Sequence, residues 1–368
     1  MKTKLTLAAL IAATGVALNG QIQINENLSV GGFIDTSYVH GSSEVADVDE
    51  TDNSFTVDQV EINWYLTFGD VSGVIDMQYT PDGTDNFNLE RAEITYDLGG
   101  GSAITAGRLQ SLLGFEAFEP TGLYQYSFAY TGFVVGEELA ALGFVLPAPY
   151  LPGYNDGVRY TYSDETTFFA VSLQDGIFSD DDRLGGDDSS DWGIEAAGSY
   201  SADGLTYFLG GFYEGGEDAF DTDLEFWGLN TYFSYEFDAW VTALELNYGE
   251  QDYEDNFDDE VFAALLMANF AYSDQGSITG RISYVDSNTD YETLIDDVST
   301  TNGVITENES DYFKFTVAHG WAFTDNLLLV SELSWIEGEN EATSIVDDST
   351  TDTDYSEGTF AMELLFTF

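Results

Sequence analysis

Cysteine is absent from this chain, proline occurs five times in 368 residues, and lysine and arginine together only eight times. Without cysteine there is no disulfide scaffold, no thiolate zinc site and no thiol nucleophile. Beyond the amino terminus no run of 18 apolar residues occurs, which excludes helical membrane spans and leaves strand spans open. The histidines are His40 and His319 alone, and no G-x-S-x-G elbow, Walker loop or dinucleotide fingerprint is present. A catalytic triad has little to build with, so the chain is not expected to be an enzyme. The few basic residues face 68 acidic ones, for a formal net charge of −60. Such a chain repels phosphates, so nucleic acid is not a partner.

What is present is glycine, with 37 residues, and aromatic side chains, at 15%. Residues 1–20 read as a secretory signal, with Lys2 and Lys4 at the start, an apolar stretch from Leu5 to Ala17 and small residues up to Gly20. Its removal leaves six basic residues against the 68 acidic ones. From Gln21 to the end the chain reads as one unit, because segments of about ten residues with period-two alternation recur sixteen times. In residues 55–68, Val60, Ile62, Trp64, Leu66 and Phe68 oppose Gln59, Glu61, Asn63 and Thr67. The last segment, residues 356–368, sets Phe360, Met362, Leu364, Phe366 and Phe368 on one face and Glu363 on the other. Ten residues is the length at which a tilted strand crosses a bilayer.

The connections carry a second signal. Short turns at 69–71, 98–101, 163–165, 202–203, 238, 273–275 and 322–324 interleave with longer, acidic stretches at 40–54, 81–87, 112–155, 176–189, 215–222, 250–260, 286–310 and 337–355. Turns on one side and loops on the other predict an all-β, transmembrane, antiparallel up-and-down β-barrel of about sixteen strands. Tyr38, Tyr79, Tyr96, Trp192, Tyr200, Trp240 and Tyr248 fall near proposed strand ends, where interfacial aromatics belong. The third loop, 112–155, is the longest and most apolar, and holds Pro120, Pro147, Pro149 and Pro152. It is expected to fold into the lumen, and the competing arrangement is a cap packed on neighbouring loops outside.

The run AGRLQSLLGFE over residues 106–116 and the run DGVRY over 156–160 are similar to the OmpL-like β-barrel porins. The alternating terminal strand likewise resembles the closing strand of bacterial outer-membrane barrels, where Phe366 and Phe368 would be the signal read by the barrel assembly machinery. The resemblance implies an outer-membrane pore for passive diffusion of ions and small hydrophilic solutes, with lipid around it and the third extracellular loop folded inward. A homotrimer is the common assembly of general porins, although no residue here specifies an interface.

Basic residues are concentrated in strands. Arg91, Arg108 and Arg159 come from three consecutive strands around the long loop, and Arg281 and Lys314 share faces with Thr279, Ser283 and Thr316. A charge on the lipid face near the midplane costs about 2–4 kcal/mol, so these side chains are expected to face water. Opposed by Glu116, Glu119, Glu137 and Glu138 of the loop, they would form a constriction with a transverse field. The competing reading pairs the arginines with wall carboxylates such as Glu90 and Glu93. The face of Arg108 is left open by alternation. The acid excess elsewhere predicts cation preference. No cofactor is expected, and clusters such as Asp49 with Asp52, or Asp252 with Asp258 and Asp259, read as solvated faces, with calcium binding between extracellular loops the minor alternative. A non-conducting surface barrel or adhesin with a plugged lumen is the competing function.

Overall fold

The computed structural model describes residues 21–45, 48–81, 87–116, 118–130, 146–178, 192–217, 223–253, 257–291, 305–344 and 350–368. The expected signal segment, Glu137, Glu138 and Arg183 lie outside the described residues. In chain order the strands are β1 (Ile22–Asn25), β2 (Leu28–Val45), β3 (Val48–Phe68), β4 (Val71–Tyr79), β5 (Phe87–Gly99) and β6 (Ser102–Gln110). After the long connection come β7 (Tyr154–Ser163), β8 (Thr167–Gln174), β9 (Trp192–Ala202), β10 (Leu205–Glu217), β11 (Asp223–Phe237) and β12 (Trp240–Tyr253). The rest are β13 (Phe257–Ala271), β14 (Gly276–Tyr291), β15 (Ile305–Thr324), β16 (Leu327–Ser344) and β17 (Thr350–Thr367).

Each strand from β2 to β17 pairs antiparallel with the next, and β17 returns to β2 from Tyr355↔Val45 to Thr367↔Phe33. That last ladder closes the sixteen-stranded barrel, so neither β2 nor β17 presents a free edge there. The short β1, which alternation alone does not reveal, folds back on the start of β2 and pairs Ile22 with Val30.

Alternation sorts the side chains as the sequence predicts. Where β13 meets β14, Leu266 opposite Ile282 points outward, whereas Leu265 opposite Ser283 points into the barrel and is buried. Most outward positions are apolar, and a closed sheet with that surface pairs its backbone groups within the wall, in a solvent that offers no partners. At the short-turn end Tyr235, Phe237, Trp240 and Phe270 form a chain of neighbouring rings, the last pair 4.6 Å apart. The turn at Asp203 and Gly204 joins paired Ala202 and Leu205 with φ of 51° and 82°. Positive φ at both residues matches the strand twist, and Asp-Gly is the sequence that tolerates it.

The expected loops are shorter than predicted. Residues 40–45 and 48–54 continue β2 and β3 as a ladder up to Val45↔Val48, and β12 to β17 likewise extend through most of 250–260, 286–291, 305–310 and 337–355. These extensions are polar and acidic on both faces, as from Asp49 to Ser54, so they carry no apolar alternation to betray them. The wall is therefore uneven: β3 has 21 residues and β15 has 20, against 8 in β8 and 9 in both β4 and β6.

Among the ladders that slip by one residue, two do so within the wall beside the interior acids. Asp35 pairs with Gln59 while Thr36 pairs with Val57, leaving Asp58 as an extra residue; Asp76 pairs with Arg91 while Met77 pairs with Leu89, leaving Glu90 as another. A β-bulge of this kind re-aims side chains. Below it Glu90 and Arg91, though adjacent, both turn away from the outward row of Phe87 and Leu89.

Candidate functional site

Residues 111–116 and 118–130 follow β6 and lie against the inward face of distant strands, whose acids receive the segment's donors. Glu195 of β9 accepts from the Ser111 hydroxyl at 2.6 Å and the Leu112 N–H at 3.1 Å. Asn230 of β11 accepts from the Gly114 N–H at 3.1 Å, and Glu245 of β12 from the Phe115 N–H at 2.7 Å and the Tyr130 hydroxyl at 3.1 Å. Glu332 of β16 takes the N–H groups of Tyr126 and Ser127 at 2.9 and 3.0 Å and the Ser127 hydroxyl at 2.6 Å.

Cations perform the complementary task. Arg281 of β14 donates to the carbonyls of Ser127 at 2.7 Å and Phe128 at 3.0 Å, and holds Glu116 in an ion pair at 2.6 Å. Lys314 of β15 donates to the Phe128 carbonyl at 2.7 Å. A segment without a ladder of its own has orphan backbone groups, and buried ones must be paired. Charged wall partners make those bonds stronger than neutral ones would be. Apolar contacts add to them: Ala129, Tyr130 and Phe115 pack on inward Leu265, Met267 and Val285, while Leu112 and Leu113 pack with Phe208, Phe212 and Tyr232.

The basic residues singled out in the sequence thus divide into three settings. Arg281, Lys314 and Arg159 face inward and are buried, each 4% exposed or less. Arg159 donates to Glu195 at 3.2 Å and to the Gln110 carbonyl at 2.7 Å, pinning the root of the connection. Arg91 faces inward from β5 and pairs with Asp76 at 2.6 Å. Arg108 is different: it lies on the same parity as outward Ile104, near the loop end of β6, with Asp156 3.8 Å away. It therefore does not join the interior group as expected, and its place near the strand end lets the long side chain reach water. Among the described residues the wall acids within ion-pair distance of the arginines are Asp76, Asp156 and Glu195, where Glu90 and Glu93 were the partners anticipated.

On the opposite side of the interior a second polar group gathers on β3 to β5. Glu119 accepts from the Gln59 amide at 2.8 Å and from the Tyr154 hydroxyl at 3.0 Å, and its carboxylate stands beside those of Glu61 and Glu90. Asn63 donates to Glu61 and, at 2.8 Å, to Asp76. Glu61, Glu195, Glu245 and Glu332 were not singled out from sequence. Their signal was there, since Glu61, Glu195 and Glu245 each lie between outward apolar neighbours, as Glu245 does between Leu244 and Leu246, and Glu332 has Leu333 on one side.

The family model described as "Putative beta-barrel porin-2, OmpL-like" matches residues 145–368, more than half of the chain. This protein belongs to the OmpL-like β-barrel porins. The porin is similar in fold to solved outer-membrane proteins of low sequence identity. OmpT of Vibrio cholerae aligns with a TM-score of 0.60 at 11% identity, covering 94% of this chain and 100% of that one. The anion-selective porin from Comamonas acidovorans gives 0.60 at 13%, over 93% and 99%, and a trimer form of V. cholerae OmpT gives 0.58 at 10%, over 93% and 99%. No curated protein sequence matches the chain. Family and fold together place the porin in the bacterial outer membrane, so its short turns are periplasmic and its longer connections extracellular.

Proposed function

We propose that this porin is a cation-preferring diffusion channel whose cross-section is set by residues 111–130, with no catalytic step. One observation carries the preference: among the described residues ten buried acids (Asp35, Glu61, Asp76, Glu90, Glu195, Glu214, Glu245, Glu332, Glu357 and Glu363) stand against three buried bases (Arg159, Arg281 and Lys314). A lumen with that imbalance attracts cations and repels anions over about 10 Å at modest salt. The Comamonas porin, similar in fold, is anion-selective, so the sign of the preference rests on this chain's own interior charges and not on the barrel. In this reading Arg91, Arg281 and Lys314 opposite Glu116 and Glu119 supply the transverse field, and solutes are small and hydrophilic. A trimer, the form recorded for V. cholerae OmpT, fits a barrel with a continuous apolar outer surface. Phe366 and Phe368 serve assembly, their rings 6.1 Å apart where β17 closes on β2.

A second reading is favoured by the apolar packing of Phe115, Ala129 and Tyr130 against the inward wall, which suits a plug more than a water-filled constriction. Planar-bilayer recording separates the two. A channel gives stable steps, closing in groups of three for a trimer, and a reversal potential of the sign for cation permeation in a KCl gradient. Absence of steps would establish the plug, and a potential of opposite sign would remove the cation preference.

A further inference from the structure

We propose that Glu61, Glu90 and Glu119 form a divalent-cation site of the calcium type, which fastens the long loop to the β3–β5 side of the barrel. The three residues reach one another from separate parts of the chain: Glu61 from β3, Glu90 from the bulge in β5 and Glu119 from the loop. One carboxylate oxygen from each lies within 4.8 Å of the other two. Calcium takes carboxylate oxygens at about 2.3–2.6 Å in a flexible shell, whereas magnesium demands a near-ideal octahedron at about 2.0–2.1 Å and keeps most of its waters. Three carboxylates gathered this closely from separate parts of the chain suit the more adaptable calcium shell. All the donors are carboxylate oxygens, which selects a hard cation over zinc or copper.

Glu90 supplies the independent sign of a missing partner. It is 8% exposed, and its Oε2 is buried with no hydrogen bond. An unsatisfied carboxylate oxygen in the interior is costly unless a charge meets it. Arg91, its neighbour in sequence, forms its ion pair with Asp76 at 2.6 Å. The surroundings are those of metal ligands held in place: the Gln59 amide donates to Glu61 at 3.4 Å and to Glu119 at 2.8 Å, Asn63 donates to Glu61, and the Tyr154 hydroxyl donates to Glu119 at 3.0 Å. Such outer partners orient the oxygens toward the ion.

The bulge gives the arrangement its purpose. Without the extra residue β5 would offer this level of the lumen a single inward side chain, and Arg91 would stand there alone. Glu116, the other carboxylate among the loop's described residues, is already fixed by Arg281 on the far wall. Calcium at Glu119 would anchor the near end of the same segment, so that occupancy changes the freedom of the constriction.

Isothermal titration calorimetry of the full-length folded protein with calcium chloride tests the site, and needs no conduction, so it stands apart from the channel reading. At about 1 M KCl, where the Debye length is about 3 Å, diffuse binding to the acidic surface is screened. The expected result is stoichiometric calcium binding that weakens by about tenfold to a hundredfold or more in Glu90→Gln. Glu119→Gln, which leaves the wall strands untouched, should weaken it likewise, while the double variant D49N/D52N in the extracellular extension should not. Heat-modifiable gel migration verifies that each variant is folded. Calcium binding that survives both lumen substitutions, that disappears in D49N/D52N, or that is absent from the wild-type protein at this salt would overturn the proposal.

Discussion

At the scale of single residues, the buried charges of this porin act chiefly as fasteners. Arg281 makes five hydrogen bonds, to Glu116, to the Ser127 carbonyl and hydroxyl, to the Phe128 carbonyl and to Thr316. Replacing it with methionine keeps much of the packing volume and leaves Glu116 without its ion pair. Removing one partner of a buried pair costs about 3–5 kcal/mol. Arg281→Met should therefore lower the urea midpoint of the folded barrel, and release of residues 116–128 should appear as larger and noisier single-channel steps. Unchanged conductance would mean that this segment does not set the cross-section. The residue scale is also where the sequence was least legible. Alternation could tell that Glu245 and Glu332 face inward, but which loop groups they receive depends on closure of the barrel, because their partners lie 130 and 206 positions away.

At the scale of elements, most of the architecture could be read directly. All sixteen wall strands were visible because the outward row is apolar where it meets lipid, and β1 was not, because four residues give too little periodicity. The bulges were written in the sequence as slips of parity: Phe55 and Val57 give way to Val60, Ile62 and Trp64, and Phe87 and Leu89 to Ala92, Ile94 and Tyr96. Deleting Glu90 should then restore an unbroken ladder with Leu89 and Phe87 still outward, and yield a barrel with normal heat-modifiable migration. Deleting Leu246 instead, in β12 whose two ladders carry no slip, would turn an apolar row inward and should abolish it.

A turn offers the matching test by pH. The Asp164 carboxylate accepts the N–H of Thr166 at 2.9 Å and of Thr167 at 2.8 Å, and these bonds hold it below the usual carboxylate range. The folded turn thus favours the ionised form. Its contribution is fully present above about pH 4, the ordinary aspartate value, and is lost as pH falls through the lowered one. Amide exchange at Thr166 and Thr167, corrected for intrinsic rates, should accelerate over that acid window, and unaltered protection would contradict the assignment.

At the scale of the whole molecule, one ladder decides whether the sheet is a barrel. Phe368 donates its N–H to the Gly32 carbonyl at 3.0 Å and accepts from the Gly32 N–H at 2.9 Å, completing the seam between β17 and β2. Deleting Phe368 should reduce the amount of folded protein in outer-membrane fractions by several-fold while leaving the conductance of the assembled fraction unchanged. Normal assembly would remove Phe368 from the signal.

The distant anchors of the long loop also impose an order in time. Residues 111–130 emerge early, yet the side chains that hold them belong to β9, β11, β12, β14, β15 and β16. Until that later half of the wall exists the segment has nowhere to dock, since contacts so far apart in sequence form only after the intervening chain is arranged. If this segment sets the cross-section as proposed, the barrel forms with a wide lumen and narrows last. An assembly intermediate stalled before β14 would be leakier than the finished protein, which gives the cell a reason to complete the carboxy-terminal strands quickly.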